Sequence, residues 1–165
     1  MKQEAGGPIA ALKLNAVTNA AVAACDSFDG VMDGVLENPR SCKFDPAALQ
    51  CSAVAASDGN CLTPGEVAAV RKIWDGPRSS DGKRLWYGLT RGTPLAALGG
   101  ANPFGISADH FRYWLERDPA FDWRKLDYAG FETSFQKSRA QFNRVIGTDD
   151  PDLRRLHGVA NHAAH

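Results

Sequence analysis

The 165 residues contain no apolar run approaching the ~20 needed to cross a bilayer. The Ala-rich stretch Asn15–Cys25 stops at an aspartate, so a membrane partner is not expected. Neither sign of charge is in excess. Lysine plus arginine number 19 and aspartate plus glutamate 19, which argues against nucleic-acid binding by phosphate neutralisation. No CxxC pair occurs, which excludes a zinc ribbon or a thioredoxin-like site. Met1–Pro8 hold no apolar core and no small-residue cleavage site, so no signal peptide is expected in this chain. No segment alternates apolar and polar residues in the manner of a half-buried strand. With 44% hydrophobic and 23% charged residues the composition is that of a globular domain, and a mainly α chain with long ordered loops is expected.

A first helix is predicted over Ile9–Ala24, with Leu12, Leu14, Val17 and Val22 as its larger apolar residues. One short turn follows Pro46. Thr63-Pro64-Gly65-Glu66 is a capping box with proline at the first helical position. Val67, Val70, Ile73 and Trp74 continue it as an amphipathic helix closing before Gly76-Pro77. Residues 76–105 form a long Gly-rich stretch carrying Trp86, Tyr87 and Phe104. Ser107 is placed as the cap of a helix through about Leu115. A longer helix is predicted over Tyr128–Ile146, and a short one begins at Asp149. Phe111, Trp114, Phe131, Phe135 and Phe142 fall at helical spacing and are expected in the core.

The four cysteines, Cys25, Cys42, Cys51 and Cys61, allow three connectivities. The sequential one closes two short loops, and disulfides of any pairing imply an oxidising compartment. Between the first two cysteines, Cys-Asp-Ser-Phe-Asp-Gly-Val-Met-Asp-Gly-Val-Leu-Glu repeats the unit Asp-Gly-Val at 29–31 and 33–35. Asp26, Asp29, Asp33 and Glu37 have no basic neighbour before Arg40. Carboxylates packed so closely repel unless a cation neutralises them, and a helix end adds unpaired carbonyls. Six to eight hard oxygens suit calcium, although the spacing is not that of an EF-hand. A solvated acidic turn is the alternative.

Cys25-Asp26-x-x-Asp29-Gly30-Val31-x-Asp33-Gly34-Val35, with Asn38-Pro39 and Cys42-Lys43-Phe44-Asp45-Pro46, resembles the lid-domain segment of the tannase and feruloyl esterase family. That family includes the mono(hydroxyethyl) terephthalate hydrolases. Cys61-Leu62-Thr63, Val70 to Pro77, Gly82 to Gly88 and Asp150-Pro151-Asp152-Leu153 continue in the family's order, so the resemblance covers residues 9–155 and leaves 156–165 as a non-family tail. It implies a secreted or periplasmic α/β-hydrolase that cleaves aromatic carboxylic esters with a Ser-His-Asp triad beneath a lid. It further implies a structural Ca2+ held by the side chains of Asp26, Asp29 and Asp33 with the carbonyls of Val31 and Val35. The disulfides it implies are Cys25–Cys42 and Cys51–Cys61.

The family's nucleophile elbow, Gly-x-Ser-x-Gly with a cysteine before the serine, has no counterpart here; Gly105-Ile106-Ser107-Ala108-Asp109 lacks the second glycine. No catalytic residue is therefore expected in this chain, which reads as the lid of an ester hydrolase working with an α/β-hydrolase core that the chain lacks. A stand-alone calcium-stabilised binding module is the alternative. Trp86, Tyr87 and Phe104 either pin the Gly-rich loop or line an aromatic-acid pocket. His157, His162 and His165 sit in the non-family tail and are not taken as a metal cluster, and His110 is not taken as a base.

Overall fold

A computed structural model of the chain describes residues 7–52, 61–98 and 102–148. The predicted helix from Asp149 and the three tail histidines lie outside the described residues. The chain divides into one unit up to Trp123 and a second from Arg124.

In the first unit, helix α1 spans Ala11–Cys25 and buries Leu14, Val17, Ala21 and Cys25 along one stripe. Leu12, one of the larger apolar residues of the helix, is 64% exposed. The 100° step per residue puts it off the 14–17–21–25 stripe. A 3₁₀ turn, Pro46–Leu49, follows Asp45, whose carboxylate caps it through Ala47 N–H. Helix α2, Pro64–Asp75, opens on the predicted capping box. Thr63 Oγ1 accepts from Glu66 N–H while Glu66 Oε2 accepts from Thr63 N–H. Ile9, Leu14, Val17, Leu62, Val67, Val70 and Leu95 form the core. Leu95 opens the one-turn helix α3, Leu95–Leu98, which packs on α1. Thr18 ties the two together, donating to Thr93 O and accepting from Leu95 N–H.

The chain leaves α2 through a tight hairpin with an isolated antiparallel bridge between Arg78 and Arg84. Gly76 at φ 87° and Gly88 lie back to back there. A Cβ on Gly88 would stand 2.2 Å from Trp74 O, so the return strand approaches the end of α2 only because both residues lack side chains. Among the described residues the extended structure is limited to this bridge and a parallel one between Gln50 and Leu62.

Helix α4, Gly105–Asp109, runs directly into a π-helical turn, His110–Leu115. Ser107 does not cap it. The helix starts two residues earlier, and Phe104 O accepts from Ser107 N–H and Ala108 N–H, so Ser107 is already inside the first turn. The wider period also moves the aromatic face. Phe111 stacks on Phe121 at 5.7 Å, but Trp114 is 46% exposed and is not a core residue.

In the second unit, helix α5 occupies Tyr128–Ile146, as the periodicity predicts, with Asp127 accepting from Gly130 N–H at its start. Phe131 and Phe135 pack on each other at 6.2 Å. They and Phe142 are half-buried rather than core, and Val145 is exposed. Ser134 is the residue this helix buries. No helix among the described residues is long and apolar enough to cross a membrane.

Candidate functional site

Helix α1 ends where the acidic doublet begins. Asp26 N–H still donates to Val22 O, and Asp26–Asp29 form a single 3₁₀ turn closed by Gly30 at φ 91°. Each of the three aspartates then engages the loop backbone through Oδ1. Asp29 accepts from Val31 N–H, Asp33 from Val35 N–H, and Asp26 from Gly34 N–H, all at 2.9 Å. The first two bonds repeat with the Asp-Gly-Val unit, each an aspartate folding the chain two residues ahead. The Asp26–Gly34 bond differs, because it joins the start of the loop to its second repeat.

Asp26 is 8% exposed, and no lysine or arginine among the described residues pairs with it. A buried carboxylate without a counter-charge is costly. Asp29 and Asp33 are exposed, as are Val31 (56%) and Val35 (60%). The five positions therefore share one loop, yet among the described residues no three acidic, histidine or cysteine side chains converge on a common point. Carboxylate and carbonyl oxygens are the donor type that calcium takes, but among the described residues the loop does not gather its carboxylates at one point. A cleft of about 570 Å³ beside α1, lined by Thr18, Asn19, Val22, Asp26, Met32 and Gly92, opens onto this carboxylate.

Two disulfides frame the region. Cys25–Cys42, with Cα atoms 5.5 Å apart, joins the last residue of α1 to the far end of the acidic loop. Both its cysteines are buried, at 4% and 1% exposure. Cys51–Cys61, 4.8 Å between Cα atoms, lies beside the Gln50–Leu62 bridge, where Cys51 N–H donates to Leu62 O.

The aromatic candidates lie on the surface. Trp86 and Tyr87 meet edge to face at 5.8 Å and are 46% and 66% exposed, while Phe104, 48% exposed, heads α4. Sequence reasoning did not find the aromatic cluster inside the fold, where Trp74 packs edge-on to Phe44 and carries the Arg91 guanidinium 4.6 Å above its ring. Arg91 Nε also donates to Phe44 O. The only local signal was an arginine in a loop of glycines.

Carboxylates paired with arginines surround α2. Asp45 is held below its ordinary value, chiefly by Ala47 N–H and further by Arg71. Asp75 is lowered by its hydrogen bonds from Arg78, with Arg84 adding to the effect. The His110 ring lies 5.8 Å from that of Trp114, centroid to centroid.

A family model described as tannase and feruloyl esterase matches residues 1–107. The chain is 32% identical over 170 residues to a probable feruloyl esterase of Arthroderma benhamiae, covering 91% of this chain and 32% of that protein. It is 34% identical over 98 residues to a mono(2-hydroxyethyl) terephthalate hydrolase of Piscinibacter sakaiensis, over 53% of this chain and 16% of the relative. The crystal structure of feruloyl esterase B from Aspergillus oryzae superposes with a TM-score of 0.78 at 24% identity, covering 94% of this chain and 32% of that one, a likeness of fold. The chain spans about a third of the length of the first of these relatives and of the superposed structure.

Proposed function

The chain belongs to the tannase and feruloyl esterase family, and from that membership we propose that it is the lid of a carboxylic-ester hydrolase acting on aromatic-acid esters. It would cover the substrate and stiffen the cover, while an α/β-hydrolase core supplies the Ser-His-Asp triad. The observation that carries this reading is the pairing of a family match with a mainly helical fold lacking any Gly-x-Ser-x-Gly sequence. Without a nucleophile and its base, hydrolysis has no covalent route in this chain.

Exposed Trp86, Tyr87 and Phe104 would face the acyl group, since aromatic-acid sites use apolar walls with few polar groups. Asp26, Asp29 and Asp33 with the Val31 and Val35 carbonyls would hold one calcium ion, whose contribution is to neutralise the loop and fix its course. The two disulfides favour an oxidising, secreted or periplasmic setting.

The purified chain should not turn over feruloyl, galloyl or nitrophenyl esters. Turnover that survives purification and disappears on Ser107→Ala would overturn the assignment. Calcium should raise Tm, chelator should lower it, and magnesium should substitute poorly.

A further inference from the structure

We propose that residues 28–37 form a docking surface for a partner protein surface that is apolar at its centre, rimmed by lysine and arginine, and seats one arginine side chain beside Phe28. The proposal rests on the lid reading above, which makes the α/β-hydrolase core that partner. Phe28 (61%), Val31 (56%), Met32 (81%) and Val35 (60%) are large apolar residues exposed within eight positions, more than in any other stretch of that length among the described residues. Exposed apolar side chains concentrated in this way mark an interaction surface, whereas single ones are ordinary. The backbone that carries them is already fixed. Asp29 and Asp33 each hold the N–H two residues ahead, Asp26 holds Gly34 N–H, and the Cys25–Cys42 disulfide closes the loop. A partner therefore meets a backbone that is ordered before the encounter, which favours association.

Charge selects the partner. Asp26, Asp29, Asp33 and Glu37 occur with no lysine or arginine before Arg40. Among the described residues none of the four forms an ion pair. Four carboxylates exceed the charge of one divalent cation, so the rim stays negative with or without calcium. A second copy meeting this surface face to face would set carboxylates against carboxylates. Anionic lipid and nucleic acid would be repelled in the same way. A basic rim is attracted. Beside the loop, Phe28, Asp29, Leu36 and Glu37 line part of a pocket of about 270 Å³. Its walls suit an arginine. Phe28 and Leu36 take the aliphatic stem and the flat guanidinium, while Glu37, and Asp29 through the oxygen not bound to Val31 N–H, accept its N–H groups. Because the chain spans about a third of the length of its relatives, about two thirds of their length remains to present such a surface.

The test is an NMR titration of the oxidised, isotope-labelled full chain in chelator-containing buffer. The probes are two capped leucine-rich peptides that differ only in carrying arginines or glutamates. The arginine peptide should shift the amides of Phe28, Asp29, Val31, Met32, Val35 and Glu37 saturably, and the glutamate peptide should bind about tenfold more weakly or less. Glu37→Gln should weaken the arginine peptide about threefold, and the Met32→Ser/Val35→Ser double variant about tenfold. These variants change exposed side chains only, and unchanged amide shifts in α1 and α2 verify that they fold. Equal binding of the two peptides, saturable shifts confined to other residues, or no saturable binding would each overturn the docking surface. Each leaves the lid reading in place, because that reading falls on ester turnover by the chain alone. Sedimentation should show no self-association that Met32→Ser/Val35→Ser removes; such association would give the surface to a second copy and overturn the proposal too.

Discussion

Lys13 and Glu66, fifty-three residues apart, meet through an ammonium–carboxylate contact of 2.8 Å that joins α1 to the capping box of α2. The same Glu66 oxygen accepts from Thr63 N–H at 2.8 Å. One carboxylate thus closes a helix end and a helix–helix contact. Burial raises the Glu66 pKa, but the bonds from Lys13 and Thr63 outweigh it, and the net shift is downward from 4.5.

A folded-state value below the unfolded one means that Glu66 contributes stability that is fully present above 4.5 and lost as pH falls through the lowered value. Urea midpoints measured between about pH 5.5 and 3 should fall more steeply in the unmodified chain than in Glu66→Gln. Glu66→Ala should cost about 2–3 kcal/mol, combining a lost cap with a half-buried lysine left unpaired. Parallel pH profiles for chain and variant would show that the pair contributes nothing.

The glycines separate three cases. Gly88→Ala forces a Cβ to 2.2 Å from the Trp74 carbonyl and should unfold the hairpin against α2, costing several kcal/mol, about 3 or more. Gly30→Ala meets no atom within 4 Å and should cost only the strain of its φ of 91°, about 1 kcal/mol. Gly105→Ala, in open space at the start of α4, should be neutral or stabilising by up to about 1 kcal/mol. Chemical denaturation orders the three, and a Gly88→Ala chain as stable as Gly30→Ala would refute the packing of 76 on 88.

Leu14 and Leu12 sit two residues apart on α1 with opposite surroundings. Leu14→Ala should cost about 3–5 kcal/mol, because the 0% exposed side chain leaves a cavity among Val17, Val70 and Leu95. Leu12→Ala should lie within about 0.5 kcal/mol of the parent. Equal losses would mean that the stripe is assigned to the wrong face.

Arg91 fixes Trp74 from the loop side. Removing the guanidinium in Arg91→Ala deletes both the contact at 4.6 Å and the Nε–H bond to Phe44 O, and should cost about 1–2 kcal/mol. Arg91→Lys should recover part of the cation–π term and none of the fixed Nε bond. Thermal denaturation of the pair of variants checks the split.

Features written in neighbouring residues were legible from the sequence. The capping box Thr63–Glu66 with Pro64 starts α2 where it stands, because cap and capped N–H are three residues apart. The 3.6-residue period of α5 and the Asp-Gly-Val turns are local in the same sense. The pairing of Cys25 with Cys42 and of Cys51 with Cys61 came from family resemblance, since loop length alone leaves three connectivities.

Contacts across sequence distance were decided by the tertiary structure. Nothing near Lys13 names Glu66 as its partner, and nothing near Arg91 names Trp74. The π turn at His110–Leu115 turned Trp114 outward although its spacing from Phe111 read as a buried face, because one extra residue per turn rotates every later side chain. Gly88 has no room for a Cβ because the hairpin returns against the Trp74 carbonyl, a proximity set by the packing on α2 and not by any residue beside it. Local hydrogen bonding is encoded within a turn or two of chain; burial and long-range pairing depend on which surfaces the folded chain brings together.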